Sequence, residues 1–400
     1  MLHADVCSAN DADALSAGQR WVKASKDTVY GTQPWESSDY GGWEDKVGQV
    51  AGGRGFSGAC WFFGKELYKR RQYPIGLIWS SIGGSPDEVW MPPDAFAACN
   101  ARGGSGAGWD LMTAPLLRSV ISGVVWYQGE SNEAAPLSYN CTFPAMIAAW
   151  REEWYNATGG NTARQFPFGF VQLSVHGGDP CYGGKACYNM PTWSEGYAAI
   201  RWAQTASYGS VPNDAMPNVF MATAVDIGES RTPAGGPHVR DKEDVGRRLA
   251  LAYRDNFIRG DGPFYTPGAI AASASALAAG TAAATVVEVA FKNLPPGGAP
   301  LLPPTSALGL EVTSETGWNA VHWRNATAAS LGAAVNGTVR TIRIESTLAR
   351  VAQVRYLWSD NACMGWDSAS SKRETGAMAC PLYTSRNGLP VLPFILNVTA

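Results

Sequence analysis

The stretch VVWYQGESN at residues 124–132 sets four apolar and aromatic residues directly before Gln128, a glycine and further hydrogen-bonding side chains. Its first half has the β-branched and aromatic composition of a buried strand. An open α/β sheet presents its chemistry at the carboxyl ends of such strands. The stretch therefore predicts a strand of a parallel sheet whose end contributes to a functional site.

Strand and helix patterns alternate along the first 260 residues. Short apolar runs indicate strands, and apolar residues that recur every three to four positions indicate helices. Asp241 has the position of a helix N-cap. The predicted strands cover 75–79, 120–127, 168–173 and 219–225, and the predicted helices cover 56–72, 143–154, 194–206 and the residues after Asp241. This alternation predicts an α/β fold with a doubly wound, mainly parallel sheet of the SGNH hydrolase type. Residues 1–55 are expected to be mostly loop with one short helix or strand.

The pattern changes near residue 260. Residues 269–284 are rich in Ala, Ser and Gly, and we expect a linker or surface insertion there. Short β-branched segments separated by turn residues follow, at 285–291, 308–313, 338–345 and 351–358. We predict two domains: an α/β domain over residues 1–262, and a smaller all-β, sandwich-like module over residues 263–400.

The composition excludes several function classes. Hydrophobic residues make up 46% of the 400 residues and charged residues only 16%, which describes a well-buried globular protein. A net charge of −3 without basic clusters argues against nucleic acid as a partner. No apolar run approaches the roughly 20 residues of a membrane span. The 16 Trp and 15 Tyr suit a sugar-like ligand, although most are expected to lie in the core.

Cysteines and sequons favour the secretory route. Eight Cys accompany five N-x-S/T sequons, at Asn140, Asn156, Asn325, Asn336 and Asn397. We expect disulfides between Cys181 and Cys187 and between Cys363 and Cys380, since each pair brackets a turn-rich loop. No C-x-x-C motif is present, so no zinc site is expected. Residues 1–20 lack the pattern of a signal peptide, so either the protein is not exported or its true start is missing.

Three polar clusters follow predicted strands and should converge at one edge of the sheet. They are residues 80–85, the block Gln128 to Asn132, and Asp226 with His238 in the loop beyond it. His238 is the candidate general base, with His176 as its rival, although a loop histidine often only bonds the backbone. A glycosidase with paired acids is not favoured, since Asp226 is the only second acid near a strand end.

The other residues of these clusters have candidate supporting roles. Gly83 and Gly84 can offer backbone N–H groups to an oxyanion, or form an ordinary turn. Gln128 and Asn132 can donate side-chain N–H groups to the same anion, whereas Glu130 can orient its neighbours.

Three segments resemble, in order, the signature blocks of the sialate O-acetylesterase family, a branch of the SGNH hydrolases. They are IGLIWSSIGGSPDEVW at 75–90, VWYQGESN at 125–132 and HVRDK at 238–242. The end of the chain is also similar, at 354–363 and 380–394, and the resemblance spans roughly residues 8–395. It implies hydrolysis of O-acetyl esters on sialic acid or related sugars, without metal or organic cofactor, in lysosomes or outside the cell.

The resemblance also implies roles for individual residues. His238 would be the base, a glycine of Gly83-Gly84 and Gln128 would form the oxyanion hole, and the block through Gly129, Glu130 and Asn132 would support it. The D-x-x-H spacing of many SGNH hydrolases fails, because Gly235 stands three residues before His238. Asp226 or Asp241 would then be the acid partner, or the site would work as a dyad.

The family's nucleophile lies in a G-Q-S-N-M block ahead of the region matching residues 10–14, and nothing before Asn10 resembles it. We therefore expect a chain truncated just after its nucleophile. Ser81 and Ser131 match only half of a G-x-S-x-G elbow, which makes both poor substitutes. The alternatives to an active esterase are an inactive carbohydrate-binding isoform and a fragment without an independent role.

Overall fold

Two β-sheets, one of them flanked by helices, make up the described fold. The computed structural model describes residues 3–8, 57–99, 106–176, 196–228, 238, 241–258, 268–277, 285–292, 301–317, 320–335, 338–359, 363, 380–384 and 388–399. The prediction of a disulfide between Cys181 and Cys187 lies outside these residues.

The first sheet has the strand order β2-β1-β3-β4-β5 within the described residues. Its strands are β1 (His3–Ser8), β2 (Gly76–Ser80), β3 (Gly123–Tyr127), β4 (Phe168–Gln172) and β5 (Val219–Thr223). Strands β3, β4 and β5 are parallel, and β1 is antiparallel to both β2 and β3. Four of these five strands therefore run in one direction. The prediction of a mainly parallel α/β sheet is confirmed.

Helices flank this sheet where the apolar periodicity predicts them. They are α1 (Gly58–Arg71), α2 (Pro93–Ala98), α3 (Pro136–Ala157), α4 (Gly196–Ala203) and α5 (Lys242–Phe257). Short 3₁₀ turns lie at Asp87–Trp90, Ala114–Leu116 and Glu130–Asn132, and a π turn lies at Trp109–Thr113. Only α2 has no counterpart in the sequence prediction, because six residues are too few for a helical period to show.

Two side-chain caps and one glycine fix α1 and α5. The Ser57 hydroxyl accepts the Cys60 N–H at 3.2 Å, and Asp241 Oδ1 accepts the Asp244 N–H at 2.9 Å, so both helices begin where predicted. A Cβ at Gly246 would lie 2.5 Å from Phe62 Cβ, so only glycine allows α5 to approach α1 this closely. The start of α5 is thereby held against the body of the sheet.

The core between the sheet and α3 is largely aromatic. Trp126 of β3 lies edge-on to Trp90 and Trp150, with ring centroids 6.1 and 5.8 Å apart. All three are almost fully buried, and such pairs add to the free energy of area burial. The expectation that most Trp residues serve the core holds for these three. A disulfide between Cys99 and Cys141, which the sequence analysis did not predict, ties the end of α2 to α3.

The second sheet is mixed and curled, with the order β10-β13-β7-β6-β15-β14-β8-β9, beside a separate β11-β12 pair. These strands are β6 (Ile270–Leu277), β7 (Thr285–Lys292), β8 (Leu310–Thr313), β9 (Arg324–Asn325), β10 (Ala328–Leu331), β11 (Ala334–Val335), β12 (Thr338–Val339), β13 (Thr341–Ser346), β14 (Gln353–Tyr356) and β15 (Phe394–Thr399). The prediction of a separate all-β module is confirmed, as is the disulfide between Cys363 and Cys380.

One prediction in this module is wrong. Residues 269–284 were expected to be a linker or insertion, yet β6 lies inside the sheet between β7 and β15. Ala271 and Ala274 are buried, and the backbone of β6 pairs with both neighbours. Small side chains are tolerated there because the paired strands supply the hydrogen bonds and the burial that an isolated Ala-rich segment lacks.

Buried polar contacts join the two sheets. The Arg201 guanidinium of α4 donates to Ser174 O at 2.9 Å and to Leu357 O at 3.5 Å. Tyr383 Oη donates to Asp226 Oδ2 at 3.3 Å. The β module therefore packs against the loops that follow β4 and β5. Among the described helices, none is both long and apolar enough to cross a membrane.

Candidate active site

The loops that follow β2 and β3 meet at the carboxyl edge of the first sheet. The Asp87 backbone N–H donates to Asn132 Oδ1 at 3.1 Å, and Gln128 Nε2 approaches Ser85 O at 3.5 Å. These residues are more than 40 positions apart in the chain. The predicted convergence of these two clusters is therefore present in the structure.

Gln128 and Asn132 form a buried network. Gln128 Nε2 donates to Asn132 Oδ1 at 2.6 Å, and Asn132 Nδ2 donates to Asp87 Oδ1 and Glu88 Oε2, both at 2.8 Å. The orientation of the two amides is consistent, because the Asp87 backbone N–H requires an oxygen on Asn132, and that oxygen in turn requires an N–H on Gln128. The side-chain N–H groups of both residues are thus directed inward.

Asp87 is the least expected member of this network. Its side chain is completely buried, and burial raises its pKa well above the ordinary value of 3.8, with the adjacent Glu88 adding to the rise. The sequence analysis includes Asp87 only as part of the segment at 75–90 and gives it no role. The available signal was the acidic pair that follows the Gly-Gly-Ser-Pro turn.

Gly83 and Gly84 form the exposed part of the same loop. A Cβ added at either glycine would meet no atom within 4 Å, and Gly84 has a φ of +73°. Behind them, the Ser85 hydroxyl donates to Ile82 O at 2.9 Å and accepts the Trp90 indole N–H at 2.8 Å. The loop therefore combines a fixed base with backbone that a ligand can approach, as an oxyanion hole requires.

Gly129 occupies a position that only glycine fills without strain. Its φ is +139°, and an added Cβ would lie 3.0 Å from side-chain carbons of both Ile200 and Leu173. Just before it, Gln128 O accepts Gln204 Nε2 at 3.0 Å. Gln204 Oε1 accepts the Leu173 N–H at 3.0 Å, so a residue that the sequence analysis missed joins the ends of β3 and β4.

Glu130 is half-buried at the start of the turn that leads to Asn132. Within the described part of the chain, no hydrogen bond reaches its buried Oε2 atom. Burial raises the pKa of the nearby Tyr197 hydroxyl, and the charges of Glu130 and Glu133 raise it further. The Glu130 carboxylate thus adds negative charge beside the network.

His238 is half-buried and lies three residues before Asp241, the cap of α5. Lys242, which follows Asp241, has its Nζ atom 4.6 Å from the centre of the ring of Tyr127, the last residue of β3. The start of α5 therefore packs against the end of β3, directly before Gln128.

Asp226 is a buried ion-pair residue. Its Oδ1 atom accepts Arg248 Nη1 at 2.6 Å and its Oδ2 atom accepts Arg248 Nη2 at 3.0 Å. Arg248 also contacts the Asp244 carboxylate, with Nε 2.7 Å from Oδ2. The two carboxylates raise the pKa of the Arg248 guanidinium, although burial opposes them. Asp226 thereby anchors α5 to the end of β5.

His176 offers a second imidazole near this edge. It follows β4, its ring lies edge-on to Tyr197 with centroids 4.9 Å apart, and its Nε2 atom is 3.6 Å from Glu133 Oε2. That separation is too long for a hydrogen bond. Among the described residues, no group of three or more metal-ligating side chains is suitably placed for a metal ion.

Comparison with known proteins finds a matching family model and several relatives. The family described as carbohydrate esterase, sialic acid-specific acetylesterase, matches residues 2–181. The sialate O-acetylesterases of Pongo abelii and Homo sapiens are each 34% identical over 362 residues, which cover 86% of this chain. The chain is similar to the sialate O-acetylesterases. It spans 61% of the length of those two relatives.

A solved structure shares the fold of this chain. A carbohydrate acetylesterase from Xanthomonas citri superposes with a TM-score of 0.61 at 24% identity, over 96% of this chain and 76% of that one. The likeness extends through both sheets and agrees with the fold predicted from the sequence.

Proposed function

We propose that this chain is built for hydrolysis of carboxylic esters, removing O-acetyl groups from sialic acid or a related sugar. The observation that carries the proposal is the exposed Gly83-Gly84 turn, held from behind by the buried network of Gln128, Asn132 and Asp87. The similarity to sialate O-acetylesterases supports an acetyl ester as the substrate.

In the proposed mechanism, His238 removes the proton of a serine hydroxyl as its oxygen attacks the acetyl carbonyl carbon. The carbonyl oxygen becomes an oxyanion. Collapse of the tetrahedral intermediate breaks the bond to the sugar oxygen, which takes the proton from His238. A water then attacks the acetyl-serine with His238 again as base. The bond between the acetyl carbon and the serine oxygen breaks, the serine oxygen takes back the proton from His238, and acetate leaves. The serine is the one that the family resemblance assigns to its G-Q-S-N-M block.

We assign the oxyanion contacts to backbone N–H groups of the Gly83-Gly84 turn. Exposed backbone without a Cβ in the way is what such a donor needs. Gln128 Nε2 directs its two N–H groups at Asn132 Oδ1 and Ser85 O, so its proposed role is to keep the turn in position. Gly129, Glu130 and Asn132 belong to the same support.

Two carboxylates compete as partner of His238. Both oxygens of Asp226 accept hydrogen bonds from Arg248, which supports a structural role for it. Asp241 stands in the same segment as His238 and uses Oδ1 for the helix cap. We therefore propose Asp241 as the partner that orients His238. If Asp241 proves dispensable, the serine and His238 work as a dyad without an acid partner.

We also propose a secretory-route protein, lysosomal or extracellular, with the domain division at residues 262 and 263. Two disulfides support the location, since such bonds persist in oxidising compartments. The exposed sequon residues Asn156, Asn325 and Asn397 agree with it. The separate sheets on either side of residue 262 support the division.

Acetate release from an O-acetylated sialoside tests the proposed reaction. The assay uses the 400-residue chain beside a version that carries the family's G-Q-S-N-M block ahead of Asn10. We expect turnover by the second and a rate lower on the order of 10⁶-fold for the first, as for loss of a triad serine. Turnover by the 400-residue chain that survives both Ser81→Ala and Ser131→Ala would overturn the assignment of the nucleophile.

A further inference from the structure

A large cavity lies on the β module, and the residues that line it are far in the sequence from the Gly83-Gly84 turn. Its volume is about 740 Å³, and residues of β6, β14 and β15 line it together with Trp202 of α4. Cavities of roughly 300–1,000 Å³ are the usual size of small-molecule sites. The cavity is thus large enough for one or two sugar rings.

Arg350 gives the cavity its charge. It is the single charged residue among those that line the cavity, and its side chain is exposed. Within the described ranges, no carboxylate lies within 4 Å of its guanidinium nitrogens, unlike Arg343 and Arg355 of the same module, which pair with Glu288 and Glu311. An exposed, uncompensated guanidinium favours an anionic ligand, and its planar fork suits a carboxylate.

A buried amide supplies the second polar group. Gln353 is 6% exposed, and its Nε2 atom donates to Asn397 Oδ1 at 2.8 Å. Its Oε1 atom is buried and accepts no hydrogen bond from the described residues. A buried carbonyl oxygen without a donor is costly, and a ligand hydroxyl would satisfy it.

Trp202 supplies an aromatic wall. Its ring lies edge-on to Trp358 with centroids 6.1 Å apart, which holds it in place where α4 meets the β module. A flat apolar ring beside polar groups matches the faces of a sugar, which alternate apolar C–H patches and hydroxyls.

We propose that this cavity is a second, non-catalytic site for an acidic saccharide. The carboxylate of the sugar pairs with Arg350, a hydroxyl donates to Gln353 Oε1, and the ring contacts Trp202. The site follows from the cavity itself, whereas sialic acid as the probe rests on the proposed function. An acidic glycan bound in this cavity would keep the protein attached to that glycan between successive reactions at the proposed esterase site of the first sheet.

Calorimetric titration of the full chain with N-acetylneuraminic acid tests the proposal. The protein comes from a bacterial host that forms disulfides, so that Asn397 carries no glycan. Arg350→Gln should weaken binding at least about tenfold, as for loss of a charge-assisted hydrogen bond. Ala349→Glu should do the same by giving Arg350 a carboxylate. The exposed Arg340→Gln removes an equal charge outside the cavity and should leave binding unchanged.

The methyl ester of the same sugar removes only the ligand's charge and should bind at least about tenfold more weakly. Absent binding, equal binding of the methyl ester, or equal loss in the Arg350 and Arg340 variants would overturn the proposal. Acetate release, measured in the version that carries the G-Q-S-N-M block, reads out the other site, so Arg350→Gln should leave it unchanged there. Lack of turnover by that version, with the differences in sugar binding intact, would contradict the proposed function alone.

Discussion

Asn132 Oδ1 accepts a hydrogen bond from Gln128 Nε2 at 2.6 Å, inside a network in which neither side chain is more than 3% exposed. The network joins the loops after β2 and β3, so the position of the Gly83-Gly84 turn depends on side chains that a substrate does not touch. The proposed esterase site therefore consists of an exposed turn and a buried support with separable effects on activity and stability.

Asn132→Asp should destabilise the fold although it changes one atom. The substitution removes the donor to Asp87 and Glu88 and sets a third carboxyl beside them. We expect a loss of roughly 3 kcal/mol or more in the free energy of unfolding at neutral pH, measured by urea denaturation. Asn161→Asp is the matched control, since Asn161 is exposed, and should cost no more than about 0.5 kcal/mol. Equal effects of the two substitutions would contradict the network's role.

Asp87→Asn should change how stability depends on pH. The pKa of Asp87 lies above its ordinary value of 3.8 in the folded state, so the folded state binds the proton more tightly than the unfolded state. The stabilisation of the folded state by protonated Asp87 is therefore complete below pH 3.8 and is lost as the pH rises through the raised pKa. Asp87→Asn keeps the oxygen that accepts Asn132 Nδ2 and should remove this fall.

Urea midpoints from pH 4 upward measure the effect of Asp87→Asn. The exposed Asp94→Asn is the control and should keep the wild-type slope. A slope in Asp87→Asn equal to that of the wild type would show that Asp87 is not the group responsible.

Asp226→Asn and Asp241→Asn should separate stability from activity. Asp226→Asn leaves Arg248 buried with one carboxylate fewer, at a cost of about 3–5 kcal/mol in unfolding free energy. Asparagine is as good an N-cap as aspartate, so Asp241→Asn should fold normally while lowering acetate release. Thermal unfolding and acetate release are measured on both. Full activity in Asp241→Asn would leave His238 without this partner.

Gly129→Ala should strain the end of β3. The φ of +139° disfavours any side chain, and the new methyl would press on Ile200 and Leu173. We expect about 1–3 kcal/mol of destabilisation by urea denaturation. Gly83→Ala, whose methyl meets no atom within 4 Å, should unfold at the wild-type midpoint. If both substitutions proved harmless, the close approach at Gly129 would not be required.

Local patterns predicted most of the α/β sheet. The apolar runs at β2 to β5 and the cap at Asp241 are short-range signals, and each element lies within a few residues of its prediction. Strand β6 was missed because its Ala and Ser residues resemble a linker and only its neighbours make it a strand. The link between Asp87 and Asn132 was missed because it joins residues 45 positions apart. Spacing in the sequence does not show which buried amide meets which carboxylate.

The most direct test of the proposed mechanism compares two histidines. His238 and His176 both lie in loops beyond strands of the first sheet, and His176 has Glu133 nearby. Acetate release is measured for His238→Ala and His176→Ala in the version that carries the G-Q-S-N-M block. Loss of a general base should lower kcat by roughly 10²–10⁴-fold or more in His238→Ala and leave His176→Ala near the wild type. Retained activity in His238→Ala with loss in His176→Ala would contradict the account.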